Sequence, residues 1–151
     1  MNRRRRRKIL CLLQPGAGAD ALSILVDLVG VSCRLHRLSL PDLLRSLNGK
    51  GEKNRVLSGE ERKMAGIYRD LLDFILVGCF RVRRPCLFRS LALFSHYRRK
   101  GVPVGIAYGI RKSGDSLDGH SWLILDGAPF LERTDPGGSF ASLYIYPDGR
   151  S

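Results

Sequence analysis

Residues 85–110 read PCLFRSLALFSHYRRKGVPVGIAYGI, and the hydrophobic period changes inside this stretch. Up to Lys100 the spacing is helical: Leu87, Leu91, Phe94 and Arg98 share one face, while Cys86, Ser90, Leu93 and Tyr97 share an adjacent one. Pro85-Cys86 opens this helix, Arg98, Arg99 and Lys100 oppose the negative end of its dipole, and Gly101 suits the left-handed residue that stops it. From Val102 the period becomes two. Val102, Val104, Ile106, Tyr108 and Ile110 alternate with Pro103, Gly105, Ala107, Gly109 and Arg111, which predicts a strand with one bulky face and one nearly bare. The bare face is expected to let a helix lie close against it.

Towards the C-terminus, KSGDSLDG (112–119) reads as a polar loop and HSWLIL (120–125) as a strand with His120, Trp122 and Ile124 on one face. Asp126-Gly127 is a hairpin signal, APFLE (128–132) the returning strand, RTDPGG (133–138) a loop, and FASLYIY (140–146) a further strand. Towards the N-terminus the pattern is helical. Asp20 is a candidate cap for a helix with Ala21, Leu22, Leu25, Leu28 and Val29 as its apolar face and Gly30 as its stop. Ser39 before Leu40-Pro41-Asp42 starts another, ending at Asn48-Gly49, and residues 48–56 form a polar joint. Ser58 and Glu61 make a capping box for a helix whose stripe from Met64 to Cys79 is expected to be the scaffold. Helices followed by an antiparallel sheet give an α+β fold. The expected division is a helical region at 1–56 and a second part at 57–151, within one compact domain.

The chain has 151 residues, 44% hydrophobic and 26% charged, which is globular rather than disordered or fibrous composition. Its net charge of +12 is uneven. Residues 3–8 (RRRRRK) carry six basic residues and no acid, residues 9–100 carry a net +8, and residues 101–151 a net −2. The start resembles a signal peptide, but its apolar core ILCLL is five residues long where a secretory segment needs ~7–15. No apolar stretch reaches the ~18–20 residues of a spanning helix. The four cysteines, Cys11, Cys33, Cys79 and Cys86, form no CxxC pair and no zinc-finger spacing, so free thiols in a cytoplasm and no bound metal are expected.

Cys86 stands where a thiol becomes a thiolate: in the first turn of a helix, with Arg83 and Arg84 just before it. His96 is ten residues further along the same helix, about 15 Å up the axis, and cannot reach it. His36 sits among basic residues near a loop, so a base for Cys86 has to be His120. Glu132 would face His120 if the hairpin at Asp126-Gly127 had a three- or five-residue loop, whereas a strict two-residue turn would pair Glu132 with Ser121. Asp126, six residues along an extended strand, lies roughly 20 Å from His120, so Glu132 is preferred as the orienting acid on reach and Asp126 kept as the fallback. Helix-borne Cys, strand-borne His and an acid on the next strand are the nucleophile, base and orienter of acyl-transfer catalysis. The Cys86 backbone N–H is the evident oxyanion donor; no second donor can be named. Trp122 shares the His120 face and can wall the imidazole from water or merely pack, and Arg89 and Ser90 follow the cysteine by one turn, with solvent exposure the plain reading of Arg89.

At residues 83–133 the sequence resembles the transglutaminase-like leader peptidases of lasso-peptide biosynthesis. The matching elements are CLFRSLAL, RRKG, the strand end GIRK, and HSW before the Asp126-Gly127 turn. The resemblance implies a transglutaminase- or papain-like core at 57–151, with the nucleophile at a helix N-terminus. It implies a cytoplasmic cysteine peptidase that cuts the leader from a ribosomally made precursor through an acyl-enzyme on Cys86, with an acid about twelve residues after His120. It also implies partners: the precursor, a separate leader-recognition protein and an ATP-using cyclase. No Gly-rich nucleotide loop is present, and no cofactor is expected. Two other readings stay open. The same triad serves a transglutaminase-like acyltransferase, since water or an amine can take the thioester. A basic helical module for nucleic acid or anionic lipid would explain the charge, although the interleaved aromatics of RNA readers are missing.

Overall fold

The computed structural model describes residues 16–50 and 52–147; the basic tail at 1–8 and Cys11 lie outside the described residues. Among the described residues four helices come first: α1 (Ala17–Leu35), α2 (Leu40–Leu47), α3 (Gly59–Asp73), which runs on as a π-helical stretch (Phe74–Cys79), and α4 (Pro85–Arg99). Four strands follow: β1 (Gly105–Ser113), β2 (Ser116–Leu125), β3 (Ala128–Phe130) and β4 (Ala141–Tyr146), in one antiparallel sheet of order β3-β2-β1-β4. This is the expected α+β order of helices and then sheet.

Local capping chemistry sets most helix ends. The Ser39 side chain accepts the Asp42 N–H at the start of α2, and Ser58 and Glu61 form the reciprocal box that starts α3. Helix α1 departs from expectation. It begins at Ala17, so Asp20 lies in its first turn and pairs with Lys100, and it runs through Gly30 to Leu35. A glycine inside a helix costs about 1 kcal/mol, which packing of the next turn offsets, because Val31 is fully buried. The buried face is Ile24, Leu28 and Val31, while Leu22 and Val29, placed on the apolar face from sequence, are exposed.

The scaffold is α4 rather than α3. Every residue from Ser90 to Arg98 is buried, because α1 covers one side of α4 and β2 the other. Leu91, Ala92, Leu93 and Phe94 join α1, α2, α3 and the sheet in one hydrophobic cluster. Truncating Leu91 to Ala would cost about 2–5 kcal/mol. The buried polar groups are mostly paired: Ser95 Oγ donates to Asp27, Arg99 binds the same carboxylate, and Arg98 donates to Asn48 Oδ1. Among the described residues the exceptions are His96, with both ring nitrogens buried and unbonded, and the hydroxyls of Tyr108 and Ser121.

In the β1–β2 register Ala107 faces Trp122, Tyr108 faces Ser121 and Gly109 faces His120. Helix α4 packs on the bulky face, through Ile106, Tyr108 and Leu123. Among the described residues the bare face takes no helix. It receives Trp122 and Phe140 instead, so closely that a Cβ on Gly109 would lie 2.8 Å from the Trp122 ring. Residues 112–119, read as a loop, form a tight hairpin in which Ser113 pairs with Ser116. Among the described residues no helix is long and apolar enough to cross a membrane.

Candidate active site

The position of Glu132 is decided by one backbone angle. Leu125 pairs with Ala128 across Asp126 (φ 54) and Gly127 (φ 77), the strict two-residue turn with two left-handed residues. The expected longer loop is therefore absent, and continued pairing would set Glu132 opposite Ser121. Strand β3 stops at Phe130, however, and Leu131 adopts φ 67, which breaks the ladder and re-aims the chain. Glu132 Oε2 then lies 3.1 Å from His120 Nε2. The early end of β3 also leaves Ser121 unpaired on that edge of β2. The N-terminus of α4 fills the gap: Ser90 Oγ donates to the Ser121 carbonyl at 2.9 Å, and the Ser121 N–H bonds the Cys86 sulfur.

Cys86, half-buried in the first turn of α4, also shares a hydrogen bond with the His120 ring. Contact of Nε2 with Glu132 leaves Nδ1 for the thiol. Burial pushes the Cys86 pKa up, but the bonds from His120 and from the Ser121 N–H outweigh it and hold the thiol below its ordinary value. His120 is pushed up to about 9, first by its bond to Cys86 and then by Glu132, against desolvation. Both shifts favour a thiolate facing an imidazolium. Arg83 and Arg84, expected to support the thiolate, line the mouth of the cavity instead. No side chain caps α4, so its first-turn N–H groups, that of Cys86 included, have no partner in the helix.

Arg89 is not a solvent-exposed side chain. Its guanidinium reaches Asp73 Oδ1 at 3.0 Å and Glu132 Oε1 at 2.9 Å, tying the π-helical junction of α3 to the acid beside His120. Asp126 remains on the exposed turn, paired with Arg62, and is not brought to His120. The Trp122 ring stacks on the His120 ring at 5.8 Å and 21°, and Phe140 lies against it at 5.2 Å. Trp122 and Phe140 thus cover the imidazole from the bare face of the sheet. Asp73, Ser121 and Phe140 were not picked out from sequence. Asp73 had one visible signal, a charge inside an apolar stripe.

Beside the sulfur lies an open cavity of about 550 Å³, lined by Leu40, Leu87, Tyr108, Leu117 and Asp118 with the two arginines. It is large enough for a few residues of an extended peptide. Among the described residues no group of three His, Cys, Asp or Glu side chains is placed to hold a metal ion. Arg45, Arg55, Arg62, Lys63, Arg69, Arg89, Arg99, Lys100, Arg111 and Arg133 all pair with carboxylates, so these cations are engaged within the fold.

No curated protein and no solved structure matches the chain. A family model described as the transglutaminase-like superfamily matches residues 26–144, from the middle of α1 to β4 and across every element of the site. With well over half of its length matched, the chain belongs to the transglutaminase-like superfamily, which covers cysteine peptidases and acyltransferases.

Proposed function

We propose that this protein is a cysteine peptidase that removes the leader from a ribosomally made lasso-peptide precursor. The observation that carries the reading is the meeting of Cys86, His120 and Glu132 beside a peptide-sized groove. The resemblance of residues 83–133 to lasso leader peptidases supplies the substrate class. The Cys86 thiolate attacks the carbonyl of the scissile peptide bond, and the backbone N–H of Cys86 donates to the oxyanion. His120 gives its proton to the leaving amine, which leaves a thioester on Cys86. It then takes a proton from water, the hydroxide adds to the thioester, and the acid is released with the thiolate regenerated. Glu132 keeps the imidazole oriented and stabilises its charge. A separate recognition protein would present the leader, and an ATP-using cyclase would take the product.

The test is mass spectrometry of a candidate precursor incubated with this chain and a recognition protein. Cleavage is expected with the wild type and lost in Cys86→Ala and His120→Ala variants that still melt cooperatively. Glu132→Gln should be impaired and Asp126→Asn should not. Retained cleavage in either of the first two variants would refute the proposal. A product carrying the acyl group on an amine rather than on water would make the enzyme an acyltransferase.

A further inference from the structure

The buried hydroxyls of Tyr108 and Ser121 have no use in the mechanism above. The two residues sit directly opposite each other in the β1–β2 register, so their side chains share the α4 face of the sheet. Both line the cavity that holds Cys86. Both hydroxyl oxygens are sealed from solvent, and neither makes a well-formed hydrogen bond. Leaving a buried donor unpaired opposes folding, so two such groups on residues that line the cavity of a reactive sulfur call for an explanation. We infer that these hydroxyls form a donor pair held for negative charge at the Cys86 sulfur. The inference rests on Cys86 being the nucleophile.

A neutral thiol is a poor acceptor, so the pair is idle while Cys86 is protonated. A thiolate is a strong one, and it gives both O–H groups a partner at once. The Ser121 side chain favours the thiolate form of Cys86, and the Tyr108 phenol lies within the field of its charge. Burial holds the Tyr108 phenol above its usual pKa, so it keeps the proton it donates. The other groups facing the site are His120 and Asp118 from β2, and Arg83 and Arg84 ahead of α4, with apolar Leu40 from α2. Beyond His120 stand Glu132 and Arg89. The hydroxyls add donors that carry no net charge, so they favour the thiolate without repelling the imidazolium.

The experiment uses the intact chain and no peptide substrate, so it can fail independently of the cleavage test. Iodoacetamide alkylation of Cys86 is followed from pH 5 to 10 by quantifying the Cys86 peptide by mass spectrometry, because Cys33 and Cys79 are exposed and will also react. In Tyr108→Phe and in Ser121→Ala the alkylation midpoint should rise by about one pH unit, which is roughly tenfold slower alkylation below the midpoint. Melted at a pH below the alkylation midpoint, where the thiol is protonated and the deleted oxygen bonds nothing, each variant should match or exceed the wild-type melting temperature. An alkylation profile superimposable on the wild type in either variant overturns the pair, as does a lowered melting temperature with the profile unmoved, which would make the hydroxyls structural.

Discussion

Replacing Arg89 by Met should damage both stability and catalysis, and the two losses can be separated. The guanidinium is 12% exposed and sits between Glu132 at 15% and Asp73 at 29%. Its loss removes the guanidinium from Asp73 and leaves Glu132 with only the His120 imidazolium. Breaking a fully buried pair costs about 3–5 kcal/mol and a charge-assisted hydrogen bond is worth about 1.5–3. Asp73 keeps some contact with water, so about 2–3 kcal/mol is expected, a fall in melting temperature of roughly 5–10 °C. Catalysis should drop because Glu132 loses the anchor on Oε1 that holds its other oxygen on His120. A misaligned base costs on the order of 10–100-fold in kcat/KM. Arg89→Lys should recover little, since one ammonium cannot span both carboxylates in a fork. The assay is thermal melting together with precursor cleavage for Arg89→Met, Glu132→Gln and the double variant. If Arg89 acts through Glu132, the double variant cleaves no more slowly than Glu132→Gln. Additive catalytic losses, or an Arg89→Met protein that melts and cleaves like the wild type, would refute the reasoning.

Three further outcomes are expected. The Cys86 pKa is depressed, so the thiolate's stabilisation is present at high pH and lost as pH falls through the folded value. His120 is raised to about 9, so the stabilisation from its proton is complete below about 6.5 and lost as pH rises through about 9. The kcat/KM profile should accordingly keep its alkaline limb near pH 9; a limb near 6.5 would show that the pair does not form. Gly109→Ala should cost about 1–3 kcal/mol and reduce cleavage, because the new methyl would meet the Trp122 ring at 2.8 Å and the Ala141 carbonyl at 3.0 Å and push Trp122 off His120. An unchanged indole fluorescence spectrum and melting temperature would contradict this. His96 is held down to about 4 by burial and then by Lys100, so the unfolded chain takes its proton first and stability falls as pH drops from about 6.5 towards 4. At pH 5 the loss is about 2 kcal/mol. His96→Leu should remove most of the difference in melting temperature between pH 7 and pH 5, and a difference as large as the wild type's would refute it.

The candidate residues were legible where their signals are local. Cys86 follows a proline that starts a helix, and a helix start is written in two or three residues. His120 stands out by elimination, since helix geometry alone removes His96 from reach. Glu132 was picked for a partly mistaken reason. The turn was expected to be longer than two residues, and what brings the carboxylate to His120 is the left-handed Leu131, a residue type that rarely adopts that conformation. Arg89 looked like one more surface charge, because its partners lie 16 and 43 residues away in the chain.

The sequence by itself determined the order of elements, the caps at Ser39 and Ser58, the helix start at Pro85, and the switch from helical to strand period at Gly101. These are set by interactions within a few residues, so they survive without tertiary context. Only the tertiary structure decided that α1 continues past Gly30, that α4 is the central helix, and that α4 packs on the bulky face of the sheet while aromatic rings fill the bare one. It also decided what holds the thiolate. The arginines just before Cys86 turn to the cavity mouth, and the bonds come from His120 and Ser121 on a strand more than thirty residues later. Those bonds exist because β3 ends at Phe130 and leaves the Ser121 edge of β2 open to the helix.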